Sequence, residues 1–192
     1  MRTSSNPQHP LDLAHAGDLL NFYSDPAQRH RGIAALGEPK SETGVVLAVP
    51  RADIPYFSQG LRESGLAIMR VNLVEITPDW RRGISHLLDA CLHSQQGHRN
   101  VVLLADFGGE VHFGQIFELE SLLRSATREW GLRCITQYDA SRFSEPIDVD
   151  ALARFGVVLF GSYYQDGTPA RRNQRSQDAS LEEETADATS GD

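Results

Sequence analysis

The sequence predicts an α/β protein built on a mostly parallel sheet of five to six strands, with helices on both faces of the sheet. Short apolar runs without alternation, such as residues 101–105, are typical of strands that are buried on both faces. Stretches with helical spacing of apolar residues follow most of these runs. Strand and helix alternate about five times, at spacings that suit parallel βαβ units.

The first half of the chain contains three predicted strands, each followed by a helix. Ser24-Asp25-Pro26 closes the first strand and can cap a helix, which Gly37 can end. Pro50 stops the second strand. Thr77 is the expected cap of the third helix, with Pro78 at its first helical position. The strands are 19–23, 45–49 and 66–76, and the helices are 27–36, 54–63 and one beginning at Pro78.

The second half repeats this pattern around the most apolar strand. Residues 101–105 are followed by Asp106 and a Gly-Gly turn, and then by the longest helical pattern of the chain, which Gly131 ends. The later predicted strands are 132–138 and 157–160, and a short helix is expected near 149–155.

Length and composition indicate one domain between two polar ends. The 192 residues suffice for one domain with a substantial core. Residues 1–16 form a predicted flexible arm, 17–164 a single α/β domain, and 165–192 an acidic tail. That tail has almost no large apolar residue and contains Arg171-Arg172 and Glu182-Glu183-Glu184, so it is expected to be disordered.

Charge and cysteine content indicate which partners and which cellular compartment to expect. A net charge of −8 argues against direct nucleic-acid binding through a basic field. Cys91 and Cys134 lie within apolar patterns and are predicted to be buried, reduced thiols. No apolar run is long enough to span a membrane, and the first residues lack the apolar core of a signal peptide. We therefore expect a cytoplasmic protein.

The motifs of several enzyme classes are absent. The sequence contains no Gly-x-x-x-x-Gly-Lys-Ser/Thr phosphate loop, no Gly-x-Gly-x-x-Gly after a strand and no Gly-x-Ser-x-Gly elbow. His86 and His93 share a helix face, but no further ligand is spaced to complete a metal site. No cofactor and no metal are expected.

One loop combines three groups that could carry chemistry. Asp106, Glu110 and His112 follow the central strand, at the edge where open α/β sheets place their ligand sites. Asp106 and Glu110 could cap helix 113–130 or lie in solvent. Alternatively, the loop contacts a ligand. Both alternatives stay open at the level of sequence.

Aromatic residues cluster at predicted strand ends. With polar residues that include Ser162, they could form the rim of a site for a small, partly apolar ligand. The alternative is that these aromatics close the core at its edge. The candidate ligand-binding residues are Tyr23, Asn72, Asp106, Phe107, Glu110, His112, Gln137, Tyr138 and Tyr163.

Residues 17–164 resemble the MEDS domain, the methanogen/methylotroph DcmR sensory domain. Residues 17–25 are similar to that family's Gly-Asp-His-x-x-x-x-Tyr start, although Leu19 stands in place of the histidine. Residues 134–143 are similar to its strand end with Cys, Tyr-Asp and a following Phe, and 157–161 also fit. The resemblance implies a RecA/KaiC-like domain without a P-loop, in which Asp106 occupies the position of a Walker B acid.

The resemblance also implies a role. Members of the family are thought to sense small molecules and often accompany DNA-binding or signalling domains. No output domain follows in this sequence. We therefore expect a non-catalytic sensory or regulatory protein that binds a small ligand, a regulatory partner protein or both, and acts in transcriptional or signalling control by protein–protein contact. A homodimer is compatible with this scheme.

Two alternatives remain. One is an enzyme that uses Asp106, Glu110 or His112 as acid–base groups. The other is a protein that binds a nucleotide without hydrolysing it.

Overall fold

The computed structural model describes residues 17–37, 42–65, 70–77, 79–144, 146–160 and 163–165. The predicted arm 1–16 and residues 166–192 of the predicted tail lie outside the described residues, as does Ser162. Among the described residues, no helix is long and apolar enough to cross a membrane.

The described residues form seven strands and five α-helices. The strands are β1 (Leu19–Tyr23), β2 (Thr43–Pro50), β3 (Val71–Ile76), β4 (Asn100–Asp106), β5 (Arg133–Asp139), β6 (Val157–Phe160) and β7 (Tyr163–Gln165). The helices are α1 (Pro26–Ala34), α2 (Ile54–Glu63), α3 (Trp80–Gly97), α4 (Phe113–Glu129) and α5 (Val149–Leu152). Short 3₁₀ turns precede α2 and follow both β5 and α5.

The strands form one sheet in the order β3-β2-β4-β5-β1-β6-β7. All pairs among the first six strands are parallel, which confirms the predicted fold class and is consistent with a RecA-like α/β fold. β7 pairs with β6 in the antiparallel direction and was not predicted as a strand. With three residues, it is too short to show a periodic pattern.

Helices cover both faces of the sheet, as predicted. Ile33 of α1 and Phe57 of α2 pack on one face. Leu87 of α3, Leu119 of α4 and Leu152 of α5 pack on the other. The four central strands, β2, β4, β5 and β1, consist of buried residues apart from some terminal positions. The core therefore has two layers, one on each side of these strands.

One predicted helix start is wrong, and the predicted start of the third strand lies outside the described residues. β3 begins at Val71, and residues 66–69 lie outside the described part of the chain. α3 begins at Trp80 with Asp79 as its N-cap residue, so neither Thr77 nor Pro78 starts it. The Thr77 hydroxyl donates instead to the Asp79 carbonyl at 3.4 Å. Proline disfavours helical backbone at the residue before it, which explains why Thr77 stays outside the helix.

Both cysteines are free thiols buried in the sheet-facing core, as predicted. Cys91 lies on α3 and Cys134 on β5, and neither side chain is exposed.

Candidate functional site

The candidate site is centred on Asp106, the last residue of β4. The carboxylate is fully buried and lies on the face of the sheet that α1 covers. Oδ1 accepts hydrogen bonds from the Tyr23 hydroxyl at 3.0 Å and from the Gly108 amide at 2.8 Å. Oδ2 accepts from Arg29 Nε at 2.7 Å. Asp106 neither caps α4 nor lies in solvent, so the first of the two alternatives from sequence is wrong for this residue.

Arg29 of α1 connects Asp106 to a second acid. Its terminal nitrogens lie 2.7 and 3.2 Å from the two carboxylate oxygens of Asp53, in the 3₁₀ turn before α2. Three rings surround the guanidinium, with centroids 5.1 to 5.2 Å from its carbon. These rings belong to Tyr23, Tyr56 and Phe57. The cation is therefore held by two carboxylates and by aromatic faces that attract positive charge.

Burial sets the proton affinities of this cluster. It raises the pKa of the Asp106 carboxyl, against the opposing effects of Arg29 and the hydrogen bonds to Asp106. Burial and the Asp106 charge raise the pKa of the Tyr23 phenol, which therefore keeps the proton that it donates. Burial alone would lower the pKa of Arg29, but Asp53 and Asp106 raise it overall. The guanidinium stays charged.

A pair of buried amides lies next to this cluster under α1. Asn21 of β1 and Gln137 of β5 are register partners, and Asn21 Nδ2 donates to Gln137 Oε1 at 2.7 Å and to the Gln28 carbonyl at 2.9 Å. Gly32 makes room for the pair, since a Cβ there would lie 2.3 Å from Gln137 Cδ. Asn21 Oδ1 and Gln137 Nε2 have no hydrogen-bond partner among the described residues. α1 thus rests on a largely polar part of the sheet.

Glu110 and His112 do not join Asp106. Glu110 is half-buried, and its amide closes a turn by donating to the Phe107 carbonyl at 2.9 Å. His112 is exposed and is the N-cap residue of α4, where its amide donates to Gln115 Oε1 at 3.3 Å. Gly108 enters the loop with φ at +51°, a backbone conformation that favours glycine. The three groups of the predicted acid–base loop therefore do not converge.

The aromatic residues at the carboxyl edge close the core. Phe107 and Phe22 both stack on Tyr138, at centroid distances of 5.7 and 5.3 Å, and all three are buried. The Tyr138 hydroxyl donates to Glu120 of α4 at 2.5 Å, so it points into the protein. Tyr163 begins β7, opposite Phe160. Phe107 and Tyr138 therefore close the core, as in the second alternative from sequence, and do not form the rim of a ligand site.

Asn72 does not lie at the carboxyl edge of the sheet, where it was predicted to form part of the rim. It is the second residue of β3 and pairs with Val46, whereas the carboxyl end of this strand is Ile76. Its amide donates to the Ala90 carbonyl of α3 at 3.3 Å. The predicted carboxyl end at Ile76 is confirmed, and Asn72 lies four residues before it, so Asn72 was expected at an edge that it does not reach. Asn72 instead lines a cavity of about 500 Å³ with His93 and His98, near the opposite edge.

An apolar crevice opens at the same edge as Asp106, on the opposite face of the sheet. Val74 and Ile76 of β3 form one side, and Trp80 and Ile84 of α3 form the other. Phe107 lies at its base. Trp80 Nε1 donates to Gln115 of α4 at 3.3 Å, which connects this crevice to the start of α4.

The start of α1 is unsuited to a phosphate group. In this fold, the loop between β1 and α1 is the one that would hold a phosphate at a helix N-terminus. Here the Asp25 carboxylate accepts the Gln28 amide at 2.8 Å and occupies the position of an anion. Among the described residues, no group of three or more His, Cys, Asp or Glu side chains is placed to hold a metal ion.

Sequence reasoning missed Arg29, Asp53 and Asn21. A signal for Arg29 was present, because it precedes Ile33 by four residues and so shares the face of α1 that packs on the sheet. Asp53 is the N-cap residue of α2, yet its side chain makes no cap hydrogen bond to that helix. It pairs with Arg29 instead.

The fold and site define an α/β protein of Rossmann-like architecture. The acid at the carboxyl edge of its sheet, Asp106, forms an ion pair with Arg29 of the same chain. Comparison with models of known protein families finds no match to this chain. Comparison with curated proteins finds no match either. The site itself is therefore the basis for a functional proposal.

Proposed function

We propose that this chain is a non-catalytic regulatory protein that binds a small ligand at the carboxyl edge of its sheet and signals the bound state by protein–protein contact. The resemblance to the MEDS sensory domain, from residues 17–25 and 134–143, motivates the proposal. Its main structural support is that the Asp106 carboxylate has no oxygen left without a hydrogen bond. Both of its oxygens accept hydrogen bonds inside the protein, from Tyr23, Gly108 and Arg29.

These hydrogen bonds weigh against the alternative in which Asp106 acts as the general base of an enzyme. A general base needs a free oxygen within about 3 Å of the proton that it removes. Asp106 has neither a free oxygen nor solvent access, and neither Glu110 nor His112 is among its hydrogen-bond or ion-pair partners. Nucleotide binding is disfavoured on separate grounds, since Asp25 places negative charge where a phosphate would lie.

The apolar crevice marks the ligand site that we assign to this function; its volume of about 10 Å³ holds at most a water molecule, so a ligand enters only when the walls of the crevice move apart. It is lined mainly by apolar side chains from β3 and α3, with Glu75 and Thr77 as polar members. An occupant would contact Trp80, whose indole bonds to Gln115 in the first turn of α4. A change at the crevice could reach α4 by this contact, and we propose the exposed side of α4 as the partner surface.

Native mass spectrometry of the protein from its own cell tests the proposal. We expect a retained small molecule that raises the melting temperature when added back and that is recovered unchanged after prolonged incubation. Conversion of that molecule to a product by the wild type, but not by the Asp106→Asn/Glu110→Gln double variant, would establish the enzyme alternative instead. Gly83 lines the crevice, so a Gly83→Leu substitution should obstruct entry to it and abolish the shift. A Gly97→Leu variant, with open space at its Cβ, is the matched control.

A further inference from the structure

A basic groove lies between α4 and the 3₁₀ turn that precedes β6. Its volume is about 550 Å³. Ser121, Ser125 and Arg128 recur at spacings of three and four on α4 and form one wall. Arg154 and Phe155 form the other. The chain as a whole carries a net charge of −8, so this groove differs in sign from the average surface and suits an anionic occupant.

The exposed cations of the groove are Arg128 and Arg154. The Arg154 guanidinium lies over the rings of Phe155 and Phe117, at 4.6 and 5.2 Å from their centroids. Arg128 contacts the Arg154 carbonyl at 3.4 Å. Both side chains therefore have neighbours that orient them, and both remain accessible to an anion at the surface.

The floor of the groove is formed by Arg124, a charged side chain that is already paired inside the protein. Arg124 is buried and donates to Glu120 at 2.9 Å, to the Cys134 carbonyl at 2.6 Å and to Thr136 at 3.1 Å. Glu118, another acid of α4, pairs with Arg81 of α3. Two of the carboxylates of α4 are thus engaged away from Arg128 and Arg154.

The path of the chain brings an acidic segment close to this groove. Gln165, the last residue of β7, pairs with Val158, which follows Phe155 by three residues. The Cα atoms of Gln165 and Phe155 therefore lie within roughly 17 Å of each other. Residues 166–181 could extend over roughly 50 Å, which is ample for Glu182-Glu183-Glu184 to reach Arg128 and Arg154.

We propose that the segment 181–184 binds the basic groove of the same molecule. The carboxylates of Glu182, Glu183 and Glu184 pair with Arg128 and Arg154. Exposed ion pairs are individually weak, but tethering gives an effective concentration on the order of millimolar. The contact does not depend on the regulatory role. Its consequence, that the segment masks α4 from a partner, rests on the proposed function.

Paramagnetic broadening in the full chain tests the contact. A nitroxide is attached at Ala186→Cys, because Cys91 and Cys134 are buried and leave the new thiol as the reactive one. Spectra of the ¹⁵N-labelled protein are recorded at about 10 mM salt, where charges interact over roughly 30 Å. We expect the amide signals of Ser121, Ser125 and Arg128 to lose intensity, and the loss to disappear at high salt.

Charge variants identify the partners. Arg128→Glu with Arg154→Glu should restore the amide signals, and adding Glu182→Arg, Glu183→Arg and Glu184→Arg should broaden them again. Arg62→Glu with Arg82→Glu, elsewhere on the surface, is the matched control and should leave the broadening intact.

Three results would overturn the proposal. They are unbroadened α4 amides in the wild-type background, broadening that survives Arg128→Glu/Arg154→Glu, and broadening that occurs only between separately labelled molecules. None of them bears on ligand binding at the crevice, so the proposed function would stand or fall on its own experiment.

Discussion

At the scale of single residues, Arg29 is the side chain on which the candidate site depends. It neutralises Asp106 inside the protein and Asp53 at the surface end of the same cluster. A buried carboxylate is tolerated because a cation and hydrogen-bond donors compensate for its lost hydration. Asp106 thus has an internal partner for each of its carboxylate oxygens, at the edge where open α/β sheets place their ligand sites.

Replacing Arg29 by alanine should destabilise the protein strongly. The change leaves Asp106 buried beside Tyr23 without its cation, and removing one member of a buried pair costs about 3–5 kcal/mol. The loss should shrink as the pH is lowered, because burial raises the pKa of Asp106 and a protonated Asp106 no longer needs a counter-charge. Urea unfolding at each pH measures both effects.

The control for this prediction is Arg82→Ala. The Arg82 side chain is 89% exposed and pairs with Asp79 at the surface, so its loss should change the free energy of unfolding by less than about 0.5 kcal/mol. Equal effects of the two substitutions would mean that the Arg29 cluster contributes no more than a surface pair.

The two cysteines should be chemically silent in the folded protein. Burial raises the pKa of Cys91 to about 12 and also raises the pKa of Cys134. At pH 8 almost no thiolate is present, and neither sulfur is accessible. Ellman's reagent should therefore react slowly with the native protein and with two thiols per chain in denaturant. A Ser125→Cys variant supplies a fast-reacting control, and rapid labelling of the wild type would contradict the burial.

At the scale of elements, α1 and α4 cover the same strands by different means. α4 presents Ile116, Leu119 and Leu123 to the sheet, and its buried Arg124 is fully hydrogen-bonded. α1 contributes Ile33 as a buried apolar side chain and otherwise faces the amides of Asn21 and Gln137. The close approach at Gly32 is what allows these amides to fit.

A pair of glycine-to-alanine substitutions separates close packing from helix propensity. In Gly32→Ala, the new Cβ would lie 2.3 to 2.6 Å from the amide atoms of Gln137, so the buried pair must shift, at a cost of about 1–3 kcal/mol. In Gly83→Ala on α3, nothing lies within 4 Å, and the free energy of unfolding should rise by about 0.5–1 kcal/mol. Chemical denaturation of both variants gives the comparison. A stabilising Gly32→Ala would show that α1 does not lie close to Gln137.

The elements were predictable because their signals are local. Apolar runs identified β2 and β4, and helical spacing with end signals identified α2 and α4 to within a few residues. β7 and the late start of β3 were missed, since three residues carry no period and the apolar residues before Val71 extended the run.

The contacts of the site were less accessible to sequence reasoning. The aromatic end positions and Asp106 were found, because strand ends are recognisable. The partners Arg29 and Asp53 are 77 and 53 residues away from Asp106 along the chain. Only the strand order brings β1 and α1 to Asp106, across β5, and that order is not written in any single segment.

At the scale of the whole molecule, the two layers of the core differ in how they are stabilised. The layer under α3, α4 and α5 contains a large cluster of aliphatic and aromatic side chains that extends from Trp80 to Phe155. The layer under α1 and α2 is smaller and merges into the polar cluster of Arg29, Asp53 and Asp106. Proteins open in parts, and parts with less buried apolar surface open at lower free energy.

Native-state hydrogen exchange should therefore resolve two levels of opening. Amides of α1 should exchange through a partial opening with a small urea dependence, because lifting α1 exposes Ile33 and a few polar groups. Amides of β4 and of the α4 turn around Leu119 should exchange only through global unfolding, with the full urea dependence. If α1 and α4 instead showed the same free energy and the same urea dependence, the two layers would unfold as one unit. The Arg29 cluster would then hold both layers together rather than only the α1 side.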